Sequence, residues 1–271
     1  MLRHPLVLIG GALVAIQAFL AIFAPWIAPY DPTGQDIMVR MEAPSLAHLL
    51  GADQFGRDNF SRILHGYRSS LAVSLASVAI ALLIGGSLGV VAAFYRGWTD
   101  RIVMRCMDVL FAFPLILLAI AIISLLGPQQ WTTAIAIGIV YTPIFARLLR
   151  GPSLVLAESD FVMAARSIGA GDLRILLAHI LPNLSSVILV QASLSLSTAI
   201  LVEASLSFLG IGTQPPTPSL GLMLSESRSY VLISPWTAIF AGIAIVTASM
   251  GYNLLGDGLR DMLDPRLKSA E

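Results

Sequence analysis

Apolar residues fall along this chain in long blocks separated by short polar stretches. The pattern shows neither the period of two expected of half-buried strands nor the narrow stripe of a soluble amphipathic helix. A helix of roughly 20 apolar residues crosses about 30 Å of hydrocarbon, and by that measure there are about six candidate spans. They run from Leu6 to Ile27, Leu71 to Phe94, Ile102 to Leu126, Thr132 to Leu149, Leu184 to Leu209 and Pro235 to Leu255. The third block carries Asp108 and Pro114, and the fourth carries Pro143. A proline inside a span gives a kink whose freed backbone groups neighbouring helices must satisfy. Arg3 precedes the first block as it would in a signal peptide. That block exceeds an h-region of about 7–15 residues, and Pro25-Trp26 stands where a small-residue cleavage site is wanted, so it reads as a retained anchor.

One stretch breaks the pattern. Phe161 to Asn183, between the fourth and fifth blocks, is charged and has helical spacing on both sides of Gly169-Ala170-Gly171. Phe161, Ala164, Ala165 and Ile168 fall at i, i+3, i+4 and i+7, and so do Leu173, Leu176, Leu177 and Ile180. Two short amphipathic helices at an angle, too polar to span a bilayer, make a bracket. By periodicity it is either a docking element for a partner or a helix pair lying in the headgroups. Gly169 allows the sharp change of direction. Asp172 can cap the second helix, and Pro182 keeps that helix from continuing far. Ala164 and Ala165 leave a shallow surface on which another protein could settle.

Composition supports the bilayer as solvent. Hydrophobic residues make up 56% of the 271 positions and charged residues 12%, about half the roughly 25% usual in soluble domains. The mean hydropathy is +0.83. A net charge of zero gives no sign of nucleic acid. The single cysteine, Cys106, excludes an internal disulfide framework or a Cys-x-x-Cys site and reads as a small hydrophobe near a helix end. With the N-terminus inside, the inner segments hold Arg3, Arg96, Arg101, Arg105, Arg147, Arg150, Arg166, Arg174, Arg260, Arg266 and Lys268, and the outer ones Arg40, Arg57, Arg62, Arg68 and Arg228. The positive-inside bias therefore predicts both termini, and the bracket, on the cytoplasmic side. Two outer loops remain, from about Ala28 to Ser70 and from about Gly210 to Ser234.

Candidate chemistry is sparse. Gln191, Ser195, Thr198 and Ser205 lie near one stripe of the fifth block, widened by Ser193, Ser197 and Ser207. Polar stripes in lipid face protein or water, so both helix packing and a translocation pathway are open. Glu203 is the clearest ionisable residue within a block, and a charge at the bilayer centre costs about 2.5–3.5 kcal/mol on insertion scales. Pairing with Arg57 or Arg228 is expected, with a gate or substrate contact as the alternative. Asp108 is expected to pair locally with Arg105. His-Glu-x-x-His is absent, and His4, His48, His65 and His179 all lie outside the blocks, which disfavours a membrane enzyme. No metal-ligand cluster is evident. A self-contained carrier would show midplane charges or two matching halves. Gly-x-x-x-x-Gly-Lys-Ser/Thr is absent, so the chain cannot cradle ATP phosphates by that loop.

Met163-Ala-Ala-Arg-Ser-Ile-Gly169, followed by Ile175 and His179-Ile-Leu-Pro182, resembles the Glu-Ala-Ala…Gly loop of ABC importer permeases. The family's Glu is Met163 here, which points to docking by shape. Gly51-Ala-Asp-Gln-Phe-Gly-Arg-Asp58 resembles the outer-loop run of dipeptide, oligopeptide and nickel permeases of the DppC/OppC/NikC type, with Ala52 for Thr. Glu203-Ala-Ser-Leu-Ser-Phe-Leu-Gly-Ile-Gly212 and Gly256-Asp-Gly-Leu-Arg-Asp-Met-Leu-Asp-Pro-Arg266 are similar to the same group.

The resemblance implies an all-α, six-span type I importer permease in the bacterial inner membrane. Its expected organisation is an anchor and outer loop over 1–70, a permease core over 71–258 with coupling helices at 151–183, and a tail over 259–271. It implies an ATPase-coupling set of Met163, Ala164, Ala165, Arg166, Gly169, Asp172, His179 and Pro182. The outer-loop set is Gly51, Asp53, Gly56, Arg57 and Asp58, and Gln191, Ser195, Thr198 and Glu203 are pathway candidates. The implied partners are a second, homologous permease, two ATP-binding subunits and a periplasmic or lipid-anchored binding protein. ATP and Mg would be held by the ATPase subunits, with no cofactor in this chain. The implied cargo is di- or oligopeptides, with nickel or another metal chelate as the alternative.

Overall fold

Asp58 starts the longest helix of the molecule. Its carboxylate accepts from the Ser61 amide at 2.7 Å, satisfying one of the free N–H groups of the first turn. The helix runs as α2 (Asn59–Ala81), a π-helical turn (Leu82–Gly86) and α3 (Ser87–Tyr95). The computed structural model describes residues 5–263, and every regular element in it is helical. Preceding this span are α1 (Pro5–Ile27) and a short 3-10 turn (Ile37–Val39). After it come α4 (Gly97–Phe111), α5 (Leu115–Leu126) and α6 (Gln130–Ala157). The bracket is α7 (Asp160–Ser167), α8 (Asp172–Ile175), a π turn (Leu176–Ile180) and α9 (Leu181–Asn183). The chain closes with α10 (Ser185–Phe208), α11 (Leu220–Ser227) and α12 (Trp236–Leu263). Arg3, His4, Arg266, Lys268 and the end of the tail motif lie outside the described residues.

Five helical stretches are long and apolar enough to span, and a sixth is bent. The expected third span is not one rod, because α4 and α5 meet at 92°. Pro114 cannot continue the ladder begun in α4, and the 12 residues of α5 reach only about 18 Å on their own. The second span also differs from expectation. Residues 59–70, expected as loop, are helical and carry buried polar side chains, including Asn59, Ser61, Arg62 and Ser70. Cys106 lies within α4, exposed, rather than at its end.

Three apolar cores hold the helices together. One joins α1, α2, α10, α11 and α12 through Ile63, Tyr67, Ile200, Met223 and Ala248. A second joins α2, α5, α6 and α10 around Ile123, Ile137, Tyr141 and Phe145. The third, with Val90, Phe94 and Leu149, ties α3 and α6 to the bracket. Where α3 crosses α6 the backbones come so close that a Cβ on Gly85 would stand 2.1 Å from the Thr142 carbonyl oxygen, and one on Gly89 2.2 Å from that of Ala146. These two glycines are four apart and meet two residues four apart, the small-residue packing that lets membrane helices touch.

Candidate functional site

The bracket hangs from the ends of α6 and α10 and is fastened from inside. Val162, Ala165, Ile175, Ile180 and Leu184 are buried against Val90, Phe94 and Leu149. Burial of a side chain such as Val or Ile contributes about 1.5–3 kcal/mol, enough to hold two short helices that would not form alone. The buried stripe is therefore Val162 and Ala165, not Phe161, Ala164 and Ile168, which point outward. Of the two alanines expected to form a shallow surface, only Ala164 is exposed. The same division holds in the second arm, where Ile175 and Ile180 are buried while Leu173 and Leu177 are exposed. The outcome is an exposed apolar face on a polar element, with Ile168 87% and Leu173 70% accessible.

Gly169 makes the corner with φ +83°, a region that favours glycine. Asp172 does not cap α8: Gly171 holds that position without a side-chain bond, and Asp172 is the first helical residue. There it still suits the positive end of the helix dipole. The second arm stops at Asn183, one residue past Pro182, as expected. A π turn at Leu176–Ile180 absorbs the proline's missing N–H, and the Asn183 side-chain amide donates to the His179 carbonyl at 2.6 Å. The rings of Phe161 and His179, 6.4 Å apart, connect the two arms. Arg166 lies over the Phe94 ring at 4.9 Å, and Met163 lines a cavity of about 310 Å³ beside it.

At the opposite end, the Gly51–Asp58 run forms a tight loop. Gly51 (φ +71°) and Gly56 (φ +73°) turn the chain, and Ala52 bridges Asp58 in antiparallel fashion. Asp53 is fully buried. One of its oxygens accepts from the amides of Phe55 and Arg57, and the other from Arg57 Nε at 2.6 Å and from Arg62 Nη1. The far ends of both guanidiniums reach Glu226 Oε2 on α11, at 2.8 Å from Arg57 and 2.7 Å from Arg62. The result is a charge-balanced quartet that locks the loop and α2 to α11. Asp58 also accepts from His48 Nδ1 at 3.0 Å, if that nitrogen carries the proton. Arg62 and Glu226 were not among the expected site residues. The Gly-Arg-Asp letters gave no sign of partners so distant in sequence.

Because Arg57 is committed to this quartet, it does not pair with Glu203. Glu203 is fully buried on α10, accepts from Ser207 Oγ at 2.7 Å, and forms no ion pair with Arg228 either among the described residues. Its second oxygen is buried without a hydrogen-bond partner, and Ser70, Thr213 and Ser219 are buried nearby. Ser197 bonds Ser249 of α12 at 2.9 Å and so serves packing. Gln191 donates to Ser195 at 3.1 Å and lines an open cleft of about 420 Å³ with Leu194 and Arg260. Thr198 is exposed and bonds back to its own helix. The stripe is therefore divided between packing and open surface.

Asp108 pairs with Arg147 of α6 at 2.6 Å, not with Arg105. The letters of a hydrolase nucleophile elbow, Gly-x-Ser-x-Gly, do occur at Gly85-Gly86-Ser87-Leu88-Gly89. They lie within a continuous helical span rather than at a strand-to-helix turn, so they make no such elbow.

The chain is similar along its length to known transport proteins. Residues 85–269 match the family described as binding-protein-dependent transport system inner membrane component. Residues 1–44 match the N-terminal TM domain of oligopeptide transport permease C. The glutathione transport system permease protein GsiD of Pectobacterium atrosepticum is 48% identical over 269 residues, covering 99% of this chain and 89% of that one. The dipeptide transport system permease protein DppC of Alkalihalophilus pseudofirmus is 44% identical over 267 residues, covering 98% and 88%. Among solved structures, a chain of the inward-facing MetNI methionine ABC transporter superposes with a TM-score of 0.61 at 18% identity, over 75% of this chain and 97% of that one.

Proposed function

The chain belongs to the binding-protein-dependent transport system inner membrane component family, and from that premise we propose that it forms one half of the pathway of an ATP-driven importer of short peptides. The observation that carries the reading is the bracket, an element fastened to α3 and α6 from within and apolar on its outer face. An ATPase subunit supplies a groove for Phe161, Ile168, Leu173 and Leu177. Ala164 and the exposed Met163 let the two surfaces approach by shape. Arg166, Gly169, Asp172, His179 and Pro182 hold the bracket's form. Movement of the ATPases on ATP binding, with Mg held on their side, passes through the third core into α3 and α6, and the pathway alternates its access.

Both termini and the bracket face the cytoplasm in this reading. A second, homologous permease completes the pathway along the α10 surface that carries Gln191 and Thr198, with Ser195 buried behind them and bonded to Gln191. An extracytoplasmic binding protein delivers solute to the loops stiffened by Asp53, Arg57 and Glu226. The relatives named for glutathione and for dipeptides both point to peptide-like solutes. The metal-chelate alternative is not favoured, since these relatives are named for glutathione and dipeptides and not for a metal.

Co-purification of ATPase subunits with this chain in detergent tests the assignment, and uptake by the chain alone in liposomes would overturn it. The coupling role has its own test. Gly169→Pro cannot adopt the positive φ of the corner, so ATP hydrolysis should continue without uptake while the spans remain inserted. Undiminished uptake in that variant refutes the coupling role and leaves the family assignment standing.

A further inference from the structure

The break between α4 and α5 leaves a helix for which the import reading has no use. Since α4 meets α5 at 92°, directing α5 into the bilayer lays α4 along its surface. Trp98, Ile102, Cys106 and Val109 recur on α4 at i, i+4, i+8 and i+11, all exposed, and so form one apolar stripe. Trp98 is 73% accessible, and its ring is of the kind that settles at the membrane–water interface. Beside the stripe, between α4 and α6, is a cavity of about 530 Å³ lined by four arginines and two aspartates. Both aspartates are engaged. Asp100 takes the Arg150 guanidinium at 2.5 and 2.6 Å, and Asp108 takes Arg147 at 2.6 Å. Arg101, lying over the Trp98 ring at 5.0 Å, and Arg105 have no carboxylate partner among the described residues.

We propose that this cavity holds the phosphate of an anionic phospholipid between Arg101 and Arg105, with the acyl chains along the Trp98–Val109 stripe. Arginine forks match phosphate oxygens. The adjoining apolar stripe suits a lipid and gives nothing to a free anion. The site rests on the reading that α5 is inserted in the membrane and is independent of which solute is carried.

Cys106 is the chain's only cysteine and lies on the stripe, so it can carry a fluorophore without other changes to this chain. The full transporter, assembled with cysteine-free partners, is placed in nanodiscs with doxyl-labelled phosphatidylglycerol or doxyl-labelled phosphatidylcholine. Phosphatidylglycerol should quench the label at roughly 30-fold lower mole fraction, the factor expected for two basic residues near an anionic surface at about 1 kcal/mol each. The preference should vanish in Arg101→Gln/Arg105→Gln and survive in Arg101→Lys/Arg105→Lys. Equal quenching by the two lipids in the unaltered chain, or a preference untouched by the Gln pair, overturns the proposal. So does release of the preference by millimolar inorganic phosphate, which would mark a small-anion site. Because the readout is lipid contact, it does not depend on uptake.

Discussion

Replacing Asp53 by Asn should be among the most damaging single-atom changes available to this protein, and replacing Glu226 by Gln among the milder ones. Asp53 Oδ2 accepts from both Arg57 Nε and Arg62 Nη1, and the other oxygen is already taken by two backbone amides. In Asp53→Asn the amide oxygen keeps the two backbone bonds, so the NH₂ group faces two guanidiniums, donor against donor. Arg62 is 1% exposed and Asp53 0%, and removing one partner of such a buried pair costs about 3–5 kcal/mol. Glu226 differs because both its bonds go to one oxygen, Oε2. A Gln carbonyl can take them over, and the loss should be about 1 kcal/mol, near that of weakening a charge-assisted hydrogen bond. Charge balance supplies the decisive comparison. In Asp53→Asn/Arg62→Gln one positive and one negative charge remain, so the pair should cost less than the two singles added together, by about 2 kcal/mol of coupling. Thermal unfolding of the purified complex, followed by fluorescence-detected size exclusion, gives the midpoints of the two singles, their double and Glu226→Gln against the unaltered chain. Strictly additive shifts, or an Asp53→Asn midpoint no lower than that of Glu226→Gln, would refute the idea that the quartet acts as one charge-balanced unit.

The close crossing of α3 and α6 can be tested with Gly85→Val, whose Cβ would start 2.1 Å from the Thr142 carbonyl oxygen. Overpacking of this kind costs about 1–3 kcal/mol or more, and the yield of folded complex on size exclusion should fall while Gly151→Ala, at a site with open space around it, leaves it unchanged. At Glu203, truncation to Ala removes the acceptor of the Ser207 hydroxyl, which keeps only its bond from the Thr213 amide, and opens a buried space, at about 1–3 kcal/mol for the lost partner. Glu203→Gln keeps the shape and the acceptor, so its melting midpoint should stay above that of Glu203→Ala, and coincident midpoints would remove Glu203 from the packing of the outer end.

What could be read from the chain follows from which solvent each residue meets. Helices α1, α10 and α12 are apolar and leave most of their length unburied within the chain, so hydropathy located them to within a few residues at most ends. The bracket was legible as a period, yet its buried side was not. Phe161, Val162, Ala164, Ala165 and Ile168 are apolar on neighbouring stripes of one short helix, and only the position of α3 and α6 selects Val162 and Ala165. The segment from Asn59 to Ser70 was read as loop because its polar side chains look solvated. They are instead satisfied by partners that sequence distance conceals, such as Glu226, 164 positions from Arg62. The same blindness put Asp108 with its neighbour Arg105 when the choice fell to Arg147, 39 positions away on α6. Glycine gave the weakest signal of all. Gly85 and Gly89 have no side chain to register on any scale, and their meaning is the absence of an atom where another helix's carbonyl must pass. The residues that join one helix to the next are thus the ones a linear pattern cannot weigh. For that reason resemblance to known permeases found the Gly51–Asp58 loop, while its physical role became visible only when α11 was in place.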